Sequence, residues 1–150
     1  MASAQLVKVL GELSAIAAVR EAIARTEWNE AEAHRRFCED EERVAEERAQ
    51  SAYEDWSACV SSSLLGPGSI RVAASFLIAG ELAMSGARKQ HEAASREADD
   101  KASEARLTRA GAETGAARLA KARRRHEAAH EERLMGELGD LMLARRLRPR

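Results

Sequence analysis

The sequence predicts an all-α protein, a long two-helix antiparallel coiled-coil hairpin with a bend near residues 61–69. Charged residues make up 33% of the chain and aromatic residues only 3%, and much of the apolar share is alanine. Such a composition is typical of long helices that pair through a narrow seam. Apolar residues also recur at helical spacings on both sides of a single internal cluster of turn-forming residues, SSSLLGPGS. One domain, residues 1–150, is expected at this length.

The first helix is expected from about residue 3 to residue 60. Its opening carries an apolar stripe whose spacings of three and four belong to one face of a helix. The stripe consists of Leu6, Val9, Leu13, Ile16, Val19 and Ile23, and it thins toward Ala31, Phe37, Val44, Ala45, Ala49, Ala52 and Trp56.

The bend is predicted from Gly66-Pro67-Gly68 and the three serines at 61–63. Proline clashes with the preceding helical turn and disfavours helical backbone in the residue before it. Serine side chains compete for backbone hydrogen bonds. Two helices joined by so short a break fold back on one another most simply.

The second helix is expected over about residues 70–146, with Ser69 as its N-cap. After an apolar start, small and polar residues repeat every seven positions, which is a coiled-coil pattern. The two series are His91, Ala98, Ala105, Ala112, Leu119 and His126, and Ala94, Lys101, Thr108, Gly115, Ala122, Ala129 and Gly136. With a bend near residue 65, the chain beyond about His130 has no partner in the first helix, and it is a natural docking element.

Charge is distributed unevenly along the chain although the net charge is −1. Residues 27–55 hold eleven acidic residues and four arginines, whereas residues 118–150 hold ten basic and five acidic residues. This asymmetry favours two regions that meet different partners.

No secretory signal is apparent, so a cytoplasmic location is expected. The longest uncharged run, residues 56–70, is shorter than the ~20 apolar residues of a spanning helix. Cys38 and Cys59 lie 21 positions apart on one predicted helix, too far for a bridge within it. Reduced thiols are expected, and an intermolecular disulfide is the alternative.

One stretch matches a zinc-protease pattern: His126-Glu127-Ala128-Ala129-His130. Two histidines at i and i+4 share a helix face, and the glutamate could act as a base. The third ligand is missing, however, because Gly136 stands six positions after the second histidine. His126 also belongs to the heptad series. Seam and surface histidines are therefore predicted, and a metal-dependent hydrolase is a minor alternative.

No other catalytic, cofactor or metal site is predicted. Gly66-Pro67-Gly68 lacks the lysine and hydroxyl residue of a phosphate loop. The acidic run Glu39–Glu42 is spread around a helix. The arginines at 123–125 have no interleaved aromatics, and an acidic helix lies nearby, so nucleic acid is not an expected partner.

Aromatic and apolar residues gather around the bend, with Tyr53 and Trp56 before it and Phe76 and Leu77 after it. A two-helix hairpin cannot bury them all. They form either a small local core that closes the hairpin or an exposed partner-binding patch.

The chain resembles the FliJ/YscO family, the small stalk proteins of flagellar and related type III export ATPases. The resemblance lies in the length, the two heptad-bearing helices, the central bend, FLIAGEL (residues 76–82) and the closing ELGDLMLARR (residues 137–146). It implies a non-enzymatic, monomeric stalk or adaptor without cofactors, which couples a hexameric export ATPase to the cytoplasmic domain of the export gate protein. Some members also escort export chaperones.

The resemblance also implies two sets of partner-binding residues. Contact with the gate would fall on the residues around the bend, Tyr53, Trp56, Phe76 and Leu77. Contact with the ATPase would fall on the Leu6–Ile23 stripe and on residues 134–146, with Leu6, Leu13, Leu138, Leu141, Arg145 and Arg146 as the named candidates. The chain has Ala79, Gly80 and Ala83 where relatives often carry glutamines and aromatics. A generic structural coiled coil that dimerises or binds a partner helix is the main alternative.

Overall fold

The computed structural model describes residues 2–62 and 66–146 and the side chains of 4–62, 66–143 and 145. It contains two helices, α1 (Ala2–Ser61) and α2 (Pro67–Arg146), and no strand among the described residues. The predicted all-α helical hairpin with a break between 61 and 69 is confirmed. Residues 63–65 of the predicted bend lie outside the described residues.

The break between the helices shows how each helix ends. The amide of Ser62 donates to the carbonyl oxygen of Ala58 at 3.1 Å, and the amide of Ser69 donates to the carbonyl oxygen of Gly66 at 3.1 Å. Helix α2 therefore begins at Pro67, and the prediction that Ser69 is the N-cap was wrong. Proline is favoured at the first helical position, where its fixed φ suits the helix and its missing N–H leaves no bond unmade.

The chain divides into two compact units, each made of one segment from each helix. Unit 1 comprises Met1–Ile23 and Ala105–Arg150, and unit 2 comprises Ala24–Glu104.

The core of unit 2 is a seam of small side chains. All the buried apolar residues there are alanine except for one cysteine: Ala24, Ala31, Cys38, Ala45, Ala49, Ala73, Ala94 and Ala98. Four of those on α1 are seven residues apart, which is the period of a coiled coil. A seam of this kind buries little apolar area per residue and depends on close backbone approach.

Two polar contacts cross the seam of unit 2. Glu42 Oε2 lies 2.5 Å from His91 Nδ1, and Lys101 Nζ donates to Glu27 Oε2 at 2.6 Å. Both contacts join residues far apart in sequence, and they are compatible with only one antiparallel register of the two segments. They show why the polar residues His91 and Lys101 occupy positions of the predicted heptad series.

The heptad prediction for α2 is confirmed as far as His126. Its members in unit 2 are buried or half-buried, and those in unit 1 from Ala105 to His126 are half-buried. Ala129 and Gly136 are exposed, so the prediction was wrong for these two residues. All described side chains of α2 beyond His126 are exposed, and a heptad series buries nothing where no second helix covers it.

The apolar stripe at the start of α1 is not the covered face of unit 1. Leu6, Val9, Leu13, Ile16, Val19 and Ile23 are all exposed. The partly covered residues are instead Val7, Leu10, Gly11, Ser14, Ala17 and Glu21. A pair of helices covers about two positions in every seven, and larger side chains beside that line remain in contact with solvent. Phe37, which was also assigned to the stripe, is 61% exposed.

Candidate partner-binding surfaces

The aromatic residues before the bend form a pair within unit 2. The rings of Tyr53 and Trp56 have centroids 6.1 Å apart and are tilted by 42°. Trp56 is half-buried, whereas Tyr53 is 51% exposed. Aromatic rings at this separation attract one another beyond the area they bury. The contact between the rings fixes the two side chains relative to one another, and part of this aromatic surface remains exposed.

A groove on one flank of the unit 2 seam contains Phe76. It has a volume of about 750 Å³, and its lining includes Ala52, Cys59 and Val72. Arg48 and Asp55 stand along the same groove. Phe76 is 65% exposed, so its ring is available to a partner.

A second groove contains Tyr53 together with Leu77 and Met84. Its volume is about 560 Å³, and Glu46, Glu47 and Glu81 line it. This groove is therefore acidic, unlike the one that contains Phe76. The structure brings Tyr53 and Leu77 together but places Phe76 in a different groove, so the residues around the bend do not form one continuous cluster. Trp56 and Leu77 are half-buried, while Tyr53 and Phe76 are exposed.

Unit 1 has an exposed apolar surface on α1. The Leu6–Ile23 stripe, defined here by the six apolar residues named above, includes the candidates Leu6 and Leu13. Leu13 also lines a groove of about 490 Å³ with Leu10, Gly111 and Gly115. Gly115 lies at the seam, where a Cβ added to it would lie 4.0 Å from the Cα of Ser14.

The last part of α2 is a second exposed surface of unit 1. Every described side chain in residues 127–145, which we call the C-terminal segment, is exposed. The candidates Leu138, Leu141 and Arg145 belong to it. The side chain of Arg146 lies outside the described residues.

The two histidines of the zinc-protease pattern in α2 do not form a metal site with other residues in the described part of the chain. His126 is half-buried and His130 is exposed. Among the described residues, no group of three or more His, Cys, Asp or Glu side chains could hold a metal ion. The missing third ligand therefore has no replacement there.

Cys38 and Cys59 form no disulfide within the chain, and they differ in environment. Cys38 is buried, with its Sγ 3.8 Å from His34 Nε2. Cys59 is half-buried and lines the groove that contains Phe76.

The partner-binding candidates predicted from the sequence did not include the groove-lining residues Val72 and Met84. Such residues commonly stand beside the buried line of a coiled coil. The positions next to each heptad position would have indicated Val72, which is adjacent to Ala73. The assignment of each residue to a particular groove depends on the register of the two helices.

Helix α2 is long and apolar enough to cross a membrane by length and composition alone, and very little of its most apolar stretch is buried among the described residues. The uncharged-run criterion did not find such a stretch because Arg71 and Glu81 interrupt the apolar residues after the bend. An exposed apolar docking surface has the same composition.

Comparison with known proteins gave no relative: no family model, no curated protein and no solved structure matches the chain.

Proposed function

We propose that the chain is a non-enzymatic stalk or adaptor of a flagellar or type III protein export apparatus. In this role it couples the hexameric export ATPase to the cytoplasmic domain of the export gate protein, acting as a single copy. We place it in the cytoplasm, at most peripheral to the inner membrane. Escort of export chaperones is a further role that the resemblance to the FliJ/YscO family implies.

One observation supports this proposal above the others: the large apolar side chains of the described residues do little to hold the hairpin together. The buried residues are seven alanines and one cysteine, whereas most of the large aliphatic and aromatic side chains are exposed. Soluble proteins seldom expose apolar side chains in such numbers unless another molecule covers them. A protein that acts by being bound at more than one surface accounts for this arrangement.

The surfaces of the two units differ in chemistry, which supports two different partners. Unit 2 presents aromatic residues in grooves, one of which is acidic. Unit 1 presents aliphatic residues on the Leu6–Ile23 stripe and the C-terminal segment. We assign the unit 2 grooves to the export gate and the unit 1 surfaces to the export ATPase.

The test is retention of the purified chain by the export ATPase and by the gate domain encoded in the same genome. Leu6→Asp combined with Leu13→Asp should abolish retention by the ATPase and leave retention by the gate domain unchanged. Tyr53→Asp combined with Phe76→Asp should have the opposite effect. These four residues are exposed, so circular dichroism should show the same helix content in every variant.

A matched control for the gate surface is Ile78→Asp, since Ile78 is exposed but lines neither groove. Wild-type chain that binds neither the ATPase nor the gate domain would overturn the proposal. A variant pair that weakens both interactions equally would overturn the assignment of surfaces.

The alternative is a generic structural coiled coil. The covered alanines of unit 2 are already paired within the hairpin, so dimerisation through that seam would require the hairpin to open. The exposed stripes favour binding of a separate partner helix instead. Binding of unrelated amphipathic helices with the same affinity as the export proteins would support this alternative.

A further inference from the structure

The C-terminal segment of α2 carries an ordered pattern of charge and hydrophobicity along one line of the helix. The line consists of Glu131, Leu134, Leu138, Leu141 and Arg145, with successive spacings of three, four, three and four. This is the spacing of a coiled-coil seam, and it spans roughly 21 Å at 1.5 Å per residue. An acid therefore stands at one end, an arginine at the other, and three leucines between them.

All five residues of this line are exposed in unit 1. The three leucines are 46%, 53% and 63% exposed in chain order. Met135 and Met142, one position after the outer leucines, are also exposed and widen the apolar line. Glu137 and Asp140 lie at least about 100° around the helix from Leu138, so they do not interrupt it. The segment is thus an amphipathic helix with its apolar face uncovered by the described residues.

The order of charges selects the orientation in which two such segments can pair. In a parallel pair, Glu131 would face Glu131 and Arg145 would face Arg145, and like charges on a helix pair destabilise it. In an antiparallel pair centred on Leu138, the leucines meet leucines, and Glu131 of each copy faces Arg145 of the other. The line is therefore complementary to itself in the antiparallel orientation only.

We propose that, in the chain free of other partners, the C-terminal segment pairs antiparallel with the same segment of a second copy. The contact uses the three leucines and two methionines of each copy and closes at both ends with a Glu131–Arg145 ion pair. This inference goes beyond the proposed function, because it concerns the free chain, and binding of this segment to another protein would separate the two copies. So few apolar side chains give a small interface, and the dimer is therefore weak and reversible.

The experiment is sedimentation equilibrium of the full chain over a dilution series in the micromolar range, at low salt. The wild type should shift with concentration from the mass of one chain, 16.4 kDa, toward twice that mass. Leu138→Glu should remain at the mass of one chain throughout. Raising the salt concentration should favour the monomer, because the end pairs are exposed to solvent.

Charge reversals test the orientation. Glu131→Arg alone and Arg145→Glu alone should each give a monomer, since one places arginines and the other places glutamates at both ends. An equimolar mixture of these two variants should dimerise again, and so should the double variant, whose line is reversed but still self-complementary. Arg106→Glu, a charge reversal at another exposed position of α2, should behave like the wild type.

Three results would overturn the inference: a wild type that stays monomeric at every concentration, single reversals that dimerise as the wild type does, or a mixture that stays monomeric. The outcome is separable from that of the proposed function, because sedimentation uses the chain alone. A chain that dimerises in this way but binds no export ATPase would leave the inference standing and remove the proposed function.

Discussion

A Cβ placed on Gly80 of α2 would lie 3.2 Å from the Cα of Ala49 on α1. Few Cβ atoms in proteins come so close to backbone atoms of another helix. Gly80 therefore marks a point in unit 2 where the two backbones approach more closely than a seam of alanines requires. The residue is a packing element, although a glycine inside a helix costs about 0.5–1 kcal/mol relative to alanine.

Gly80→Ala should lower the free energy of unfolding by about 1 kcal/mol, because overpacking of typically 1–3 kcal/mol exceeds the gain in helix propensity. Gly86→Ala is the matched control, since nothing lies within 4 Å of a Cβ added there. It should raise the free energy of unfolding by about 0.5–1 kcal/mol. Urea unfolding followed by circular dichroism measures both. An equal increase in both variants would show that the seam has room at Gly80.

The same reasoning applies to the alanines of the seam. Ala98 is 3% exposed, so Ala98→Leu inserts three carbon atoms into a close contact and should cost about 1–3 kcal/mol of stability. Ala93→Leu, at an exposed position of the same helix, should change stability by less than about 0.5 kcal/mol. Thermal unfolding of the two variants distinguishes them. Similar melting temperatures would mean that the unit 2 seam is not close-packed.

The protonation of Glu32 makes the stability of unit 2 depend on pH in the acid range. A hydrogen bond from Arg35 (2.8 Å), with a further one from Arg36 (3.2 Å), lowers the pKa of Glu32 from 4.5 to about 2. A lowered pKa in the folded state contributes stability above the unfolded value, and this contribution is lost as the pH falls. The stability difference between the wild type and Glu32→Gln should therefore be constant above about pH 5 and shrink between pH 4.5 and 2.

Arg35→Gln removes the largest cause of that lowered pKa. In the Arg35→Gln background, the stability difference caused by Glu32→Gln should therefore depend much less on pH over the same range. Chemical unfolding at a series of pH values measures this for each pair of chains. A difference between wild type and Glu32→Gln that does not change between pH 4.5 and 2 would refute the assignment.

The deprotonation of Lys101 makes the stability of unit 2 depend on pH in the alkaline range. The Lys101 ammonium donates to Glu27 at 2.6 Å and to Glu104 at 3.2 Å, and these bonds raise the pKa of Lys101 above 10.5. A raised pKa contributes stability that is fully present below the unfolded value and is lost as the pH rises through the folded value. Glu27→Gln should therefore destabilise the chain at neutral pH and have a smaller effect above pH 10.5.

The matched variant is Lys101→Arg, since a guanidinium stays charged throughout this range. The stability difference between Lys101→Arg and Glu27→Gln should stay constant as the pH rises. Loss of stability by the wild type and by Lys101→Arg over the same pH interval would assign the alkaline transition to other groups.

Both helices, the position of the break and the covered line of α2 as far as His126 could be predicted from the sequence. These features follow from local rules: proline and glycine interrupt helices, and a seven-residue period keeps one line of a helix facing its partner. The same rules indicated that the last part of α2 has no partner in α1. They also explain why Lys101, although charged, stands in the seam series.

Which line of α1 is covered depends on how the two helices pack, and it could not be predicted from the sequence. By apolar content, Leu6 and Leu13 were the better candidates, yet Leu10, Ser14 and Ala17 lie in the contact of unit 1. Two helices pack closely where small residues of one face small residues of the other. Which residues face each other depends on the rotation of both helices about their axes. For the same reason the structure alone separated Phe76 from Tyr53 and Leu77, since each groove is formed by side chains from both helices.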